Sequence, residues 1–214
     1  MKNRPSSIVL ASSLILAALV TLLISQTGMP PRVDRKLHED LGQALAQEAL
    51  KLLGPTGKVT VITRDTGSFP QPATDLSLAS FTRAIGKAGA TLKAVQALQE
   101  DPLRPVQVPP GDFFELIRRG ATGDVLVSFM GPPLLLPEQR AVLGEIKPWI
   151  VAFCSGSQPE QLNLRLLAEQ NLLHAAVLSR PFRKLVPGRE SFADLYVRAE
   201  AAELVKPLAL AGQP

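Results

Sequence analysis

The sequence predicts an α/β protein: an N-terminal transmembrane helix, then a five-stranded, mostly parallel, doubly wound sheet flanked by helices. Three observations predict it. An uncharged apolar run extends from Ile8 to Ser25, strand-like and helix-like segments alternate from residue 58 onward, and the later strand segments are almost wholly apolar. Alternation requires crossover connections, and crossovers produce a parallel sheet covered on both faces. Burial on both faces is what strips polar residues from such strands.

The first element is the run from Ile8 to Ser25, eighteen residues without a charge. That length is at the lower edge of what spans a hydrocarbon core as a helix. A cleaved signal peptide is the rival reading. Its apolar region is usually shorter, about 7–15 residues, and ends in a small-x-small site that residues 25–28 fit poorly. Lys2 and Arg4 precede the run, and Arg32, Arg35 and Lys36 follow it, so the positive-inside balance is nearly even. A short charged start before a long C-terminal part favours the soluble domain on the outer side of the membrane. The expected organisation is a signal anchor over 1–27, a juxtamembrane linker and helix over 28–57, an α/β domain over 58–207 and a disordered tail over 208–214.

Pro30 and Pro31 end the anchor helix. Leu37, Leu41, Leu45 and Leu52 recur at helical spacing and predict a helix over 34–53, with Gly54 suited to a left-handed cap. The β-branched segment 58–63 is the first strand. Leu78, Phe81 and Ile85 line one face of a helix over 76–88, which Gly89 terminates, and 91–97 is the second strand. A proline-rich loop over 101–111 leads to a short helix ending at Arg119, with Asp112 and Glu115 spaced as a capping box. The third strand is 124–130, and Pro137 opens a helix running to Glu145. The fourth strand is 148–154; Ser157 and Glu160 then box the start of a helix to Gln170. The fifth strand is 174–179, and a last helix over 191–204 uses Phe192, Leu195 and Ala199 as its inner face. Right-handed crossovers arrange five such strands as a flavodoxin-like sandwich, with expected order 2-1-3-4-5. The architecture resembles one lobe of a periplasmic sugar-binding protein, although no family motif accompanies it. A two-lobed binder needs nearly twice the residues, so a second jaw would have to come from another copy or a partner.

Composition removes several functions. Beyond residue 25 the chain has 21 basic and 19 acidic side chains, too near neutrality for a nucleic-acid partner. The few aromatic residues leave little to stack bases on. Cys154 is the single cysteine, so neither an intramolecular disulfide nor a cysteine metal site can form. His38 and His174 are poor material for a metal centre, and no cofactor is expected.

In doubly wound sheets ligands bind beyond the carboxyl ends of the strands. That rule selects Arg64, Asp65 and Ser68 after the first strand, Ser155 and Ser157 after the fourth, and Arg180 after the fifth. The small hydroxyl-rich turn 155–157 would expose backbone N–H groups to an anion, or Ser157 would simply cap its helix. Arg180 could hold an acidic ligand or pair with Asp65. The tetrapeptide from Asp65 to Ser68 resembles the active-site signature of aspartic proteases, but it occurs once and in an α/β context, whereas those enzymes pair two such loops. Cys154 with His174 would suggest a nucleophile and its base. Their places at opposite ends of neighbouring parallel strands put them roughly 20 Å apart. No Walker A loop, GxGxxG fingerprint, GxSxG elbow or HExxH is present.

These residues support a membrane-anchored, non-catalytic domain that binds a small, anionic ligand or a protein partner. One alternative is an enzyme working on a small anionic substrate with Arg64, Asp65, Ser155 and Arg180. Another is a structural subunit of a membrane complex that docks through the proline-rich loop or the 34–53 helix.

Overall fold

The computed structural model describes residues 33–67, 70–99, 107–145, 148–180 and 191–205, together with Ala18 and Thr21. The chain forms two units, 1–33 and 34–214. Ile8 and Ser25, the ends of the expected membrane span, lie outside the described residues, as do Ser68 and the tail 206–214. Among the described residues no helix is long and apolar enough to cross a membrane.

The second unit is a doubly wound, mostly parallel sheet flanked by helices. Its elements are α1 (Arg35–Leu52), β1 (Lys58–Arg64), α2 (Pro72–Lys87), β2 (Thr91–Leu98), α3 (Pro110–Arg119), β3 (Val125–Ser128), α4 (Pro137–Leu143), β4 (Trp149–Cys154), α5 (Gln158–Gln161), α6 (Leu164–Glu169), β5 (Ala175–Ser179), α7 (Phe192–Leu195), β6 (Tyr196–Glu200) and α8 (Ala201–Leu204). The strand order is β2-β1-β3-β4-β5-β6, so the expected 2-1-3-4-5 arrangement is present with one strand added. The first five strands run parallel, and β6 is antiparallel to β5, with Ala176 opposite Ala199 and Leu178 opposite Val197.

Period-2 alternation divides the core into two layers. Val59, Val61, Val125, Val127, Val151 and Val177 point to the α1/α2 side, where they meet Leu45, Phe81 and Ile85. Ile62, Leu126, Ile150, Ala152, Cys154 and Leu178 point to the other side, against Phe113, Ile117, Leu164 and Leu167. Asp34 caps α1 by accepting the Leu37 N–H at 3.1 Å. α1 lies close on α2 because Gly42 has no side chain: a Cβ there would collide with the Ser77 carbonyl.

Four expectations are corrected. The segment 191–204 is a helical turn, then β6, then another turn, rather than one helix. Tyr196–Glu200 pairs with the exposed edge of β5, and completing that ladder satisfies backbone groups an edge strand would leave open. The expected helix from Ser157 to Gln170 is two short ones, because Asn163 breaks it and caps α6 by accepting the Leu166 N–H at 3.0 Å. Asp112 is not a cap: α3 begins at Pro110, and Glu115 pairs with Arg118 and Arg119 instead. Gly54 is not a left-handed cap either, since α1 ends at Leu52 and the next residue, Leu53, is already extended. Gly54 is small because it lies against the Gly123 backbone, its N–H donating to the Gly123 carbonyl at 3.0 Å.

Candidate functional site

The carboxyl ends of the parallel strands form a rim with two groups of the expected residues. The first group belongs to β1. Arg64 is the last residue of that strand and is half-buried, and Asp65 is anchored by its N–H to the Leu98 carbonyl at 2.8 Å. Asp65 Oδ1 accepts the Gly67 N–H at 2.9 Å, and the Thr66 hydroxyl donates to Asp75 Oδ1 at 2.8 Å. The Asp65–Gly67 stretch is therefore a self-bonded polar turn in front of α2. Just before it, Thr63 Oγ1 is buried and has no hydrogen-bond partner among the described residues.

The second group joins β4 and β5. Ser155 N–H donates to Gln158 Oε1 at 2.9 Å, and Gly156 N–H donates to the Ser179 hydroxyl at 3.1 Å. Gly156 takes φ +57°, a left-handed turn that glycine adopts without steric cost. Ser157 is exposed and makes no capping hydrogen bond, so neither a cap nor the expected box with Glu160 forms there. Arg180 is exposed, and its N–H donates to the Leu195 carbonyl at 2.8 Å.

Arg180 makes no ion pair with Asp65. Their strands are three steps apart in the sheet, or roughly 14 Å at about 4.8 Å per step. Gln158 links the loops after β3 and β4, because a Cβ at Gly131 (φ +100°) would sit 2.8 Å from Gln158 Nε2. Nothing local in the sequence signals Gln158, since its role comes from a loop approaching from another strand.

The Cys154–His174 pair fails as chemistry. Cys154 is fully buried, and burial pushes its thiol up to about 12, so it is neutral and inert at physiological pH. His174 precedes β5 at the other end of the sheet. Among the described residues no group of three or more His, Cys, Asp or Glu side chains is arranged to hold a metal ion.

Three cavities lie away from the rim. One of about 470 Å³ separates α4 from the α6–β5 turn. One of about 120 Å³ lies under the end of α3, by Lys93 and Asp124. One of about 330 Å³ opens at the amino ends of β4 and β5.

No protein-family model matches the chain, and no curated protein does. Solved structures share its fold. An arabinose-binding protein from Geobacillus stearothermophilus is 16% identical over 78% of this chain and 62% of its own, with a TM-score of 0.50. A protein from Mycobacterium smegmatis is 16% identical over 80% of this chain and 59% of its own, again at 0.50. The XylFII molecule matches 66% of this chain at 16% identity and a TM-score of 0.45. The chain thus spans 48% of the length of one of these structures and 62% of another. At such identities the likeness shows the fold, a doubly wound sheet also found in an arabinose-binding protein.

Proposed function

We propose that the chain is a membrane-tethered, non-catalytic binding domain, held by the span from Ile8 to Ser25 and displayed on the outer side of the membrane. Its rim of strand ends would receive a small polar or anionic ligand. The observation that carries this reading is the convergence of Ser155, Gly156 and Ser179 with Arg180 at the ends of β4 and β5. Arg64 and Asp65 stand at the end of β1 on the same rim. Ligands of open α/β sheets occupy this place. The shared fold with an arabinose-binding protein supports a small polar ligand. In this reading the other wall of the site comes from a second copy or from a protein partner. Such an arrangement suits a sensory or accessory subunit.

The test is calorimetry on the full chain in detergent micelles, with phosphorylated and carboxylated small molecules and monosaccharides as probes. The expected result is saturable binding weakened at least tenfold by Arg180→Ala and by Arg64→Ala, about 1.4 kcal/mol or more. Saturable binding that both variants retain would refute the rim as the site. Recovery of the full chain in the supernatant after ultracentrifugation of lysate would refute the tether.

A further inference from the structure

The end of the sheet opposite the rim carries a cavity of about 330 Å³, at the small end of the size range of ligand pockets. Its walls come from five elements, one of them α8 through Ala201 and Ala202. Trp149 opens β4, His174 and Ala175 lead into β5, Glu48 and Lys51 come from the last turns of α1, and Glu200 closes β6. Trp149 is 41% exposed, an unusual position for the chain's single tryptophan, and its ring meets His174 edge-on at 4.7 Å between centroids.

The orientation of His174 is fixed. Its Nδ1 accepts the Ile150 N–H at 3.0 Å, while its own backbone N–H and carbonyl bond to the Ile150 carbonyl and the Ala201 N–H, each at 2.8 Å. An Nδ1 that accepts requires the proton on Nε2. Nε2–H has no partner among the described residues, and His174 is one of the residues that line the cavity. Burial lowers the His174 pKa to about 4, which keeps the ring neutral at physiological pH.

The charged groups of the wall pair with one another. Lys51 Nζ lies 2.9 Å from Glu48 and 2.9 Å from Glu200, and Arg198 reaches Glu48 at 3.7 Å. The lining itself holds two carboxylates and one cation, with Arg198 beside Glu48, so the wall does not favour an anion. What remains is an aromatic surface beside fixed donors and acceptors. An aromatic ring packs against the C–H face of a saturated ring, while Nε2–H, Nζ and carboxylate oxygens exchange hydrogen bonds with hydroxyls.

We propose that this cavity is a second binding site, distinct from the strand-end rim, for a small neutral polyhydroxylated ring such as a monosaccharide or an inositol. Trp149 supports the ring face, and His174, Lys51 and Glu200 engage its hydroxyls. The inference does not depend on the reading of the rim.

Trp149 reports on the site directly, since no other tryptophan contributes emission. Full-length protein in micelles is titrated with glucose, galactose, arabinose, ribose and myo-inositol, up to about 10 mM, beyond the mM end of specific affinities. Emission and heat are both recorded. At least one probe is expected to give a saturable change in emission, with a matching heat weakened at least tenfold by Trp149→Ala and by Glu200→Gln. Both side chains are exposed enough to replace without unfolding, and far-UV circular dichroism checks that. The Trp149 emission change, which reports this cavity alone, should persist in Arg180→Ala. Absence of saturation with every probe would overturn the site. So would binding that survives Trp149→Ala and Glu200→Gln but is lost in Arg180→Ala, which would place the ligand at the rim.

Discussion

The two faces of the sheet are clad by different means. On one face α1 and α2 are long, and α1 buries small residues: Gly42, Ala44, Ala46 and Ala49. Their small side chains let backbones approach, so Ser80 can donate its hydroxyl to the Glu39 carbonyl across the helix pair at 2.8 Å. On the other face α4 and α5 bury no residue, and Val142 on α4 is 71% exposed. Much of that core comes from loops instead, through Val108, Leu135, Leu172 and Leu173. An open cleft of about 470 Å³ separates α4 from the α6–β5 turn. The lesson is that one apolar sheet accepts two solutions, a tight helix pair that sets its stability and a loose cover that tolerates change.

The largest expected effect tests the tight face. Phe81 is fully buried and packs edge-on against Phe129 at 5.6 Å, so Phe81→Ala should cost about 3–5 kcal/mol in urea unfolding. Gly42→Ala follows, at about 3 kcal/mol, because its Cβ meets backbone that cannot yield without shifting α2. A loss under about 1 kcal/mol at both positions would erase the contrast between the faces.

A pH series sharpens the comparison at the end of the sheet where both layers meet. His174 is protonated in the unfolded chain below its ordinary value near 6.5, and in the folded chain only below about 4. The unfolded state therefore binds more protons between these values, and stability falls as pH drops through that window. After allowance for partial solvent access, the loss should reach about 2 kcal/mol at pH 4. His174→Gln, which retains an acceptor for the Ile150 N–H, should flatten much of the curve. His38, lowered by burial against an opposing effect of Asp34, contributes in the same direction, so His38→Gln is the control.

Smaller effects probe the loose cover. Asn163→Ala should cost about 1 kcal/mol by removing the cap of α6, whereas Ser157→Ala should change stability by under about 0.5 kcal/mol. Cys154 should resist a thiol reagent in native protein and react only at the rate of unfolding. Rapid labelling without denaturant would show that the loose face opens far more than its packing implies.

Legibility in the sequence followed the same divide. The helices of the tight face were legible because Leu41 and Leu45, and then Phe81 and Ile85, repeat at the spacing of one helical stripe. On the other face the apolar residues 192, 195 and 199 also fit a helical stripe, yet residues 196–200 form β6. A short segment satisfies both periods, and pairing with β5 decided between them. Ser157 and Glu160 carried the spacing of a capping box, but Asn163, with no comparable signature, is the residue that caps. At the rim, Arg64, Asp65, Ser155 and Arg180 stand at or just beyond the carboxyl ends of β1, β4 and β5, the place the strand-end rule names. It did not separate them into two groups three strands apart, nor find Gln158.

Read alone, the chain determined its class, the order of its first five strands and the burial of their central residues. Those depend on period, on β-branched runs and on the hand of crossovers, all of which are local or chiral constraints. Only the tertiary structure decided that a sixth strand closes the sheet, that Gly54 and Gly123 touch, and that Trp149, His174, Glu48 and Glu200 surround one cavity. These contacts join residues tens of positions apart, so no window of sequence contains them. They arise when strands take their register and bring separate turns to the same end of the sheet.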